Sequence, residues 1–164
     1  MDFETLESSF SKLDFNQFSK SCESLQKDQD LTSDDWYNLG IKATAHDSAY
    51  GLICFLISSR LEKESNNAKP ESFDRIAEIY FVADDHKKAV SYALEAYKAQ
   101  PSLERATLIN KCFEILGDGI NQQKWDKIKA KHLVENVSHK AGGGIKPKPS
   151  GNLVKVVNQF GQGN

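Results

Sequence analysis

His132, Glu135 and His139 stand three and four residues apart, so on one helix they would share a face, and two imidazoles with a carboxylate form a zinc-type ligand set. His139, however, falls where that helix is expected to end, and no histidine pair with metalloprotease spacing accompanies it. Histidine and lysine near a helix C-terminus have a simpler use, because positive charge there offsets the helix dipole. The run Ala141-Gly-Gly-Gly-Ile-Lys-Pro-Lys-Pro-Ser150 has the glycines of a phosphate loop but lacks Gly-Lys-Ser/Thr, a strand before it and a helix after it. No Gly-x-Ser-x-Gly occurs, and Cys22, Cys54 and Cys112 have no convincing histidine partner along the chain. Odd in number, far apart and each on an apolar helical face, the cysteines read as buried thiols of a reducing compartment. Asn136-Val-Ser138 matches a glycosylation acceptor, which has no consequence without a secretory signal. No catalytic residue, cofactor or metal is therefore expected, and an enzyme is the least supported class.

The elements that would position these residues read as helices. At 164 residues with 39% hydrophobic and 27% charged content, the chain is long enough for one folded body with a tail and too apolar to be wholly disordered. Met1-Asp2-Phe3-Glu4 has no basic region before an apolar stretch, and the apolar run at Leu52–Ile57 is short, so neither a signal peptide nor a membrane span is expected and the protein is placed in the cytoplasm. Phe3, Leu6 and Phe10, then Phe15, Phe18, Cys22 and Leu25, keep helical spacing on either side of Leu13-Asp14, which predicts two amphipathic helices or one bent one. Thr32-Ser-Asp-Asp35 before Trp36 is a capping-box signal that starts the next helix. Periodicity breaks at Ala45-His46-Asp47 and resumes from Ala49 to Leu61. Pro70 suits the first turn of another helix. Two further pairs follow, 70–83 with 86–99 and 102–115 with about 119–135, divided by Gly117-Asp118-Gly119.

A repeat carries the functional reading. Phe73, Ile76, Ala77, Tyr80, Ala89, Ala93, Ala96 and Pro101 sit at the framework spacings of the tetratricopeptide pattern, and the chain resembles that helical-repeat family there, with Ala93 where an aromatic is usual. The resemblance implies that Ala77 and Ala89 permit close helix approach, that Phe73 and Tyr80 fill the groove between, and that Pro101 ends the second helix. A pair so built keeps apolar surface on both sides and needs neighbours. The preceding segment fits more loosely through Trp36, Leu39, Gly40, Ala43, Leu52, Leu56 and Ser59, lacking a small residue at Leu52; Ala106, Ile109 and Phe113 keep only the apolar spacing. The expected architecture is all-α: a TPR-like array of about 7–8 helices in domain 1–138, with capping helices at 3–30, a degenerate repeat at 33–63, a good repeat at 70–101 and a helix pair at 102–135. A plain helical bundle is the alternative. In the family, exposed first-helix positions take up peptides or helices, which implies partner binding by Tyr37, Ile41, Asp74, Glu78 and Phe81. Tyr37 and Ile41 stand where the carboxylate-clamping subset of the family has Lys and Asn, so a C-terminal carboxylate ligand is not expected.

After Val137 the composition changes, with four glycines and two prolines in 141–151, so 139–164 reads as a flexible arm. The last acidic residue is Glu135, and four lysines (140, 146, 148, 155) follow it, leaving 17 basic against 23 acidic residues in the body. Within the arm the apolar segment 153–157 followed by Phe160 suits strand addition or insertion into a second subunit's groove, through Leu153, Val154, Val156, Val157 and Phe160. Together these features predict an adaptor or chaperone-like subunit of a larger protein assembly, binding through the array and through the arm. The alternatives are a permanent structural subunit without client capture, and a nucleic-acid accessory using the basic tail, against which stand the absence of tail arginine and the acidic body.

Overall fold

Helix starts in this chain are set by short side chains that accept the otherwise unpaired backbone N–H groups of the first turn. Asp2 accepts from Thr5 N at 2.8 Å and opens α1, Phe3–Ser9, which tightens into a 3-10 turn, Phe10–Lys12. Asp14 and Gln17 cap reciprocally, at 2.8 and 3.1 Å, where α2, Phe15–Asp28, begins. Thr32 and Asp35 form the expected capping box of α3, Ser33–His46. Asp47 then ends α3 and caps α4, Ser48–Glu64, in a single linking residue. Following α5, Pro70–Val82, Asp85 caps α6, His86–Ala99, and Ser102 caps α7, Leu103–Leu116. Gly117, at φ 70°, closes α7 in the left-handed conformation that glycine tolerates, and Asp118 accepts from Asn121 N at 3.1 Å at the start of α8, Gly119–Ala141.

This computed structural model describes residues 1–28 and 30–141, with side chains as far as Val137. Among the described residues there are eight α-helices and no strand, so the chain is all-α. Helix α8 runs six residues past the boundary expected near 135, because no glycine or proline interrupts it before Gly142. The chain divides into two compact units, Met1–Ile79 and Tyr80–Asn164.

In the first unit, successive helices of the same kind lie side by side and run in the same direction. Glu7 meets Lys42 and Asp34 meets Lys69, each 35 residues apart in sequence, while Tyr37 meets Arg75 across 38. These contacts join α1 to α3 and α3 to α5. The second helices repeat the arrangement: the Phe18 ring stacks on Tyr50 at 4.8 Å, and Gln26 meets Arg60 across 34 residues, joining α2 to α4. Between α3 and α4 the approach is antiparallel and close. A Cβ on Gly40 would lie 2.6 Å from the Phe55 ring, and one on Gly51 would lie 1.8 Å from Thr44 Oγ1 and 3.0 Å from the Gly40 carbonyl. The small residue that the pattern lacks at Leu52 is thus supplied one position earlier by Gly51, and Leu52 and Leu56 are only half-buried. Leu6, Phe18, Cys22, Trp36, Leu39, Ala43 and Cys54 are fully enclosed in the core of this unit.

The start of α5 is capped from another helix. Lys69 precedes Pro70 and cannot accept a hydrogen bond through its ammonium, so the carboxylate of Glu62, on α4, takes its place. Glu62 Oε2 accepts from Lys69 N and Oε1 from Ser72 Oγ, both at 3.3 Å, and Ser58 Oγ lies 2.9 Å from Ser72 Oγ while donating to the Ser33 carbonyl at 2.8 Å. Only 3% of Glu62 is exposed, and burial pushes its carboxyl above the usual carboxylate range, opposed by the Lys69 N–H, Ser72 and the Lys69 charge.

In the second unit α7 is buried at Leu103 and continuously from Ala106 to Cys112, and packs on both α6 and α8. Asn110 donates to the Gln122 carbonyl at 2.9 Å and to Asp126 Oδ1 at 3.0 Å, tying α7 to α8. Tyr97 on α6 reaches His132 on α8 at 2.8 Å, again 35 residues apart, and its ring meets Trp125 edge-on at 4.9 Å. Burial raises the Cys112 thiol to about 12.

Candidate protein-binding faces

The helix pair α3/α4 determines what the first unit presents to solvent. Because Gly40 has no side chain, the Phe55 ring enters against it, and Tyr37 rests on Phe55 with ring centroids 5.5 Å apart. The Tyr37 hydroxyl then accepts from Arg75 Nε at 3.5 Å, and Arg75 reaches Glu78 at 3.7 Å. Arg75 is held more strongly protonated than usual, by the Tyr37 bond first and then by the charges of Tyr37, Glu78 and Asp74. The Glu78 carboxyl is shifted upward, partial desolvation and the neighbouring Asp74 outweighing Arg75. One turn along α3 from Tyr37, Ile41 is 39% exposed. Tyr37, Arg75, Glu78 and Asp74 are therefore brought together across α3 and α5, and Ile41 extends the α3 side of that face. Arg75 is the member that the repeat pattern did not assign.

Phe81 belongs to the second unit, where it is half-buried with its ring edge-on to His86 at 5.0 Å. Leu153, Val154, Val156, Val157 and Phe160 lie outside the described residues.

Two other surfaces were not singled out by sequence. On α8, Lys124, Lys127 and Lys131 are exposed at helical spacing, on a different face from Trp125 and His132. Around the α7–α8 turn Ile115, Leu116 and Ile120 are 47, 38 and 85% exposed. The signal for the lysine row was present as a three-four spacing. The turn cluster needed the observed direction of α7.

Of the three residues of the α8 metal triad, His132 is engaged with Tyr97 and the His139 side chain lies outside the described residues, among which no group of three or more potential ligands able to hold an ion occurs. An open cleft lined by Glu23, Gln26, Lys27 and Arg60 lies between α2 and α4; it has mixed polarity and no nucleophile. No described helix is long and apolar enough to cross a membrane. Compared with known proteins, the chain matches no family model, no curated protein and no solved structure.

Proposed function

We propose that this protein is a non-catalytic interaction subunit, an adaptor or chaperone-like member of a larger cytoplasmic assembly, that receives a segment of another protein on the α3/α5 face. The observation that carries this reading is the polar and aromatic cluster of Tyr37, Arg75, Glu78 and Asp74, held in place by Phe55 and Gly40 and edged by exposed Ile41. Such a surface offers an aromatic and an arginine, the side chains that most often anchor interfaces, beside acidic groups that set register. The recurrence of helix-to-helix contacts at 34–38 residues supports the resemblance to tetratricopeptide arrays, whose first-helix faces bind peptides and helices. The arm at 139–164 is proposed as a second attachment to another subunit.

Affinity purification with the full chain, with Ile41→Asp/Arg75→Glu, and with a 1–140 truncation tests the proposal. The double variant is expected to lose one partner while keeping native helical content, and the truncation to lose a different one. Retention of the same partners by all three proteins would overturn both assignments and leave a permanently packed structural subunit as the better reading.

The exposed lysine row on α8 favours a second reading, an accessory protein that contacts nucleic acid. It requires an affinity for duplex or single-stranded nucleic acid that falls steeply with salt and is lost in Lys124→Glu/Lys127→Glu/Lys131→Glu. Absence of binding at 50 mM salt would remove it.

A further inference from the structure

We propose that Cys22 and Cys54 are a latent disulfide site, a thiol pair that a low-molecular-weight disulfide converts into a bridge pinning α2 to α4. Both residues are fully buried in the same core cluster, one on each helix, and the neighbouring Cys22 thiol together with burial pushes the Cys54 thiol up. Four residues before each cysteine, Phe18 stacks on Tyr50, and beyond the pair Gln26, four residues after Cys22, reaches Arg60, six after Cys54, so contacts on either side bring the two cysteine-bearing stretches of α2 and α4 together. Elsewhere in a core a cysteine serves as a small hydrophobe and needs no second one beside it. Here two lie on facing helices within one cluster, and bonding requires the sulfurs to close to about 2.05 Å.

The chemistry is two exchanges. A thiolate attacks the oxidant's sulfur–sulfur bond and expels one reagent thiol. The second cysteine thiolate then attacks the mixed disulfide and expels the other. Two protein S–H bonds and one reagent S–S bond are lost, one protein S–S bond forms, and both protons end on the two reagent thiols. The cysteines are oxidised and the reagent is reduced. Because both thiols are fully buried, the first attack proceeds through local openings of the unit. The bridge closes a loop of about thirty residues, which by loss of unfolded-chain entropy raises the melting temperature by roughly 5–15 °C.

Full-length Cys112→Ala protein is used, so that only these two thiols remain. Incubation of the folded, reduced protein with oxidised glutathione in mild urea is expected to give an intact mass lower by two hydrogens and a cross-linked peptide joining residues 22 and 54. A final state of glutathione adducts without the bridge would overturn the proposal. In a second arm the bridge is formed in the denatured chain, which is then purified and refolded, so that access to the buried thiols plays no part. Full recovery of helical circular dichroism with the raised melting temperature is the expected result; a bridged chain that regains less helix, or melts below the reduced protein, refutes the geometry.

Discussion

Gly51→Ala probes the closest helix crossing in the first unit. The added methyl would stand 1.8 Å from Thr44 Oγ1 and 3.0 Å from the Gly40 carbonyl oxygen. Rotating Thr44 away sacrifices its 2.7 Å bond to that carbonyl, worth about 1 kcal/mol, and the backbone oxygen cannot rotate away at all. Overpacking of this kind costs about 1–3 kcal/mol. Alanine in a helix interior returns about 1 kcal/mol over glycine. The balance is a loss of about 1–3 kcal/mol, read as a fall in melting temperature of roughly 4–12 °C by circular dichroism at 222 nm. Thr44→Ala/Gly51→Ala separates the clashes: it relieves the contact with the hydroxyl and leaves those with the residue-44 Cβ, at 2.9 Å, and the Gly40 carbonyl, so only part of the loss should return. A Gly51→Ala protein as stable as the parent, or a double variant whose loss equals the sum of the singles, would show that the crossing is not as close as described.

Glu62→Ala should cost about 2–3 kcal/mol in urea denaturation, because Ser72 and the Lys69 N–H lose their acceptor at the start of α5, whereas Glu62→Gln keeps an acceptor oxygen. The raised carboxyl pKa makes the second variant informative about pH: the folded chain holds that proton more tightly than the unfolded chain. The contribution is full below the ordinary value of 4.5 and is lost as pH rises through the folded value, so Glu62→Gln should gain on the parent from pH 5 upward. A stability difference constant from pH 4 to 8 would contradict that shift. Tyr97→Phe removes the 2.8 Å bond to His132 while keeping the ring against Trp125, and should lower stability by about 1 kcal/mol at the urea midpoint; a double-mutant cycle with His132→Ala should show that the loss is shared.

Much of the helical framework is legible in the sequence because it is written in local signals. The Thr32–Asp35 box, the break at Asp47 and the Gly117 turn act within a few residues, and each falls where expected. Asp14–Gln17 is a signal of the same kind and could have divided α1 from α2 outright. The N-terminal helices, read as caps, carry the same stacking contacts as the later pairs, and a spacing was there to find: Phe3, Leu6, Phe10 repeat as Trp36, Leu39, Ala43 and as Phe73, Ile76, Tyr80. Exchanging aromatics for alanines between copies hides the likeness, because volume moves from one side of the interface to the other. Arg75 and Glu62 were illegible for a different reason. Each looks like an ordinary exposed charge until the partner contributed by another helix is known, Tyr37 for one and the uncapped start of α5 for the other.

The regular separation of the stacking contacts also bears on how the chain reaches this structure. Contacts between helices 34–38 residues apart mean that a growing chain closes one short loop at a time, and the entropic cost of each closure is nearly the same as the last. Topologies of this low contact order fold quickly, and every helix pair can serve as a nucleus for the next. The first pairs can therefore begin to assemble once their own residues have left the ribosome, before the C-terminal lysines have been synthesised.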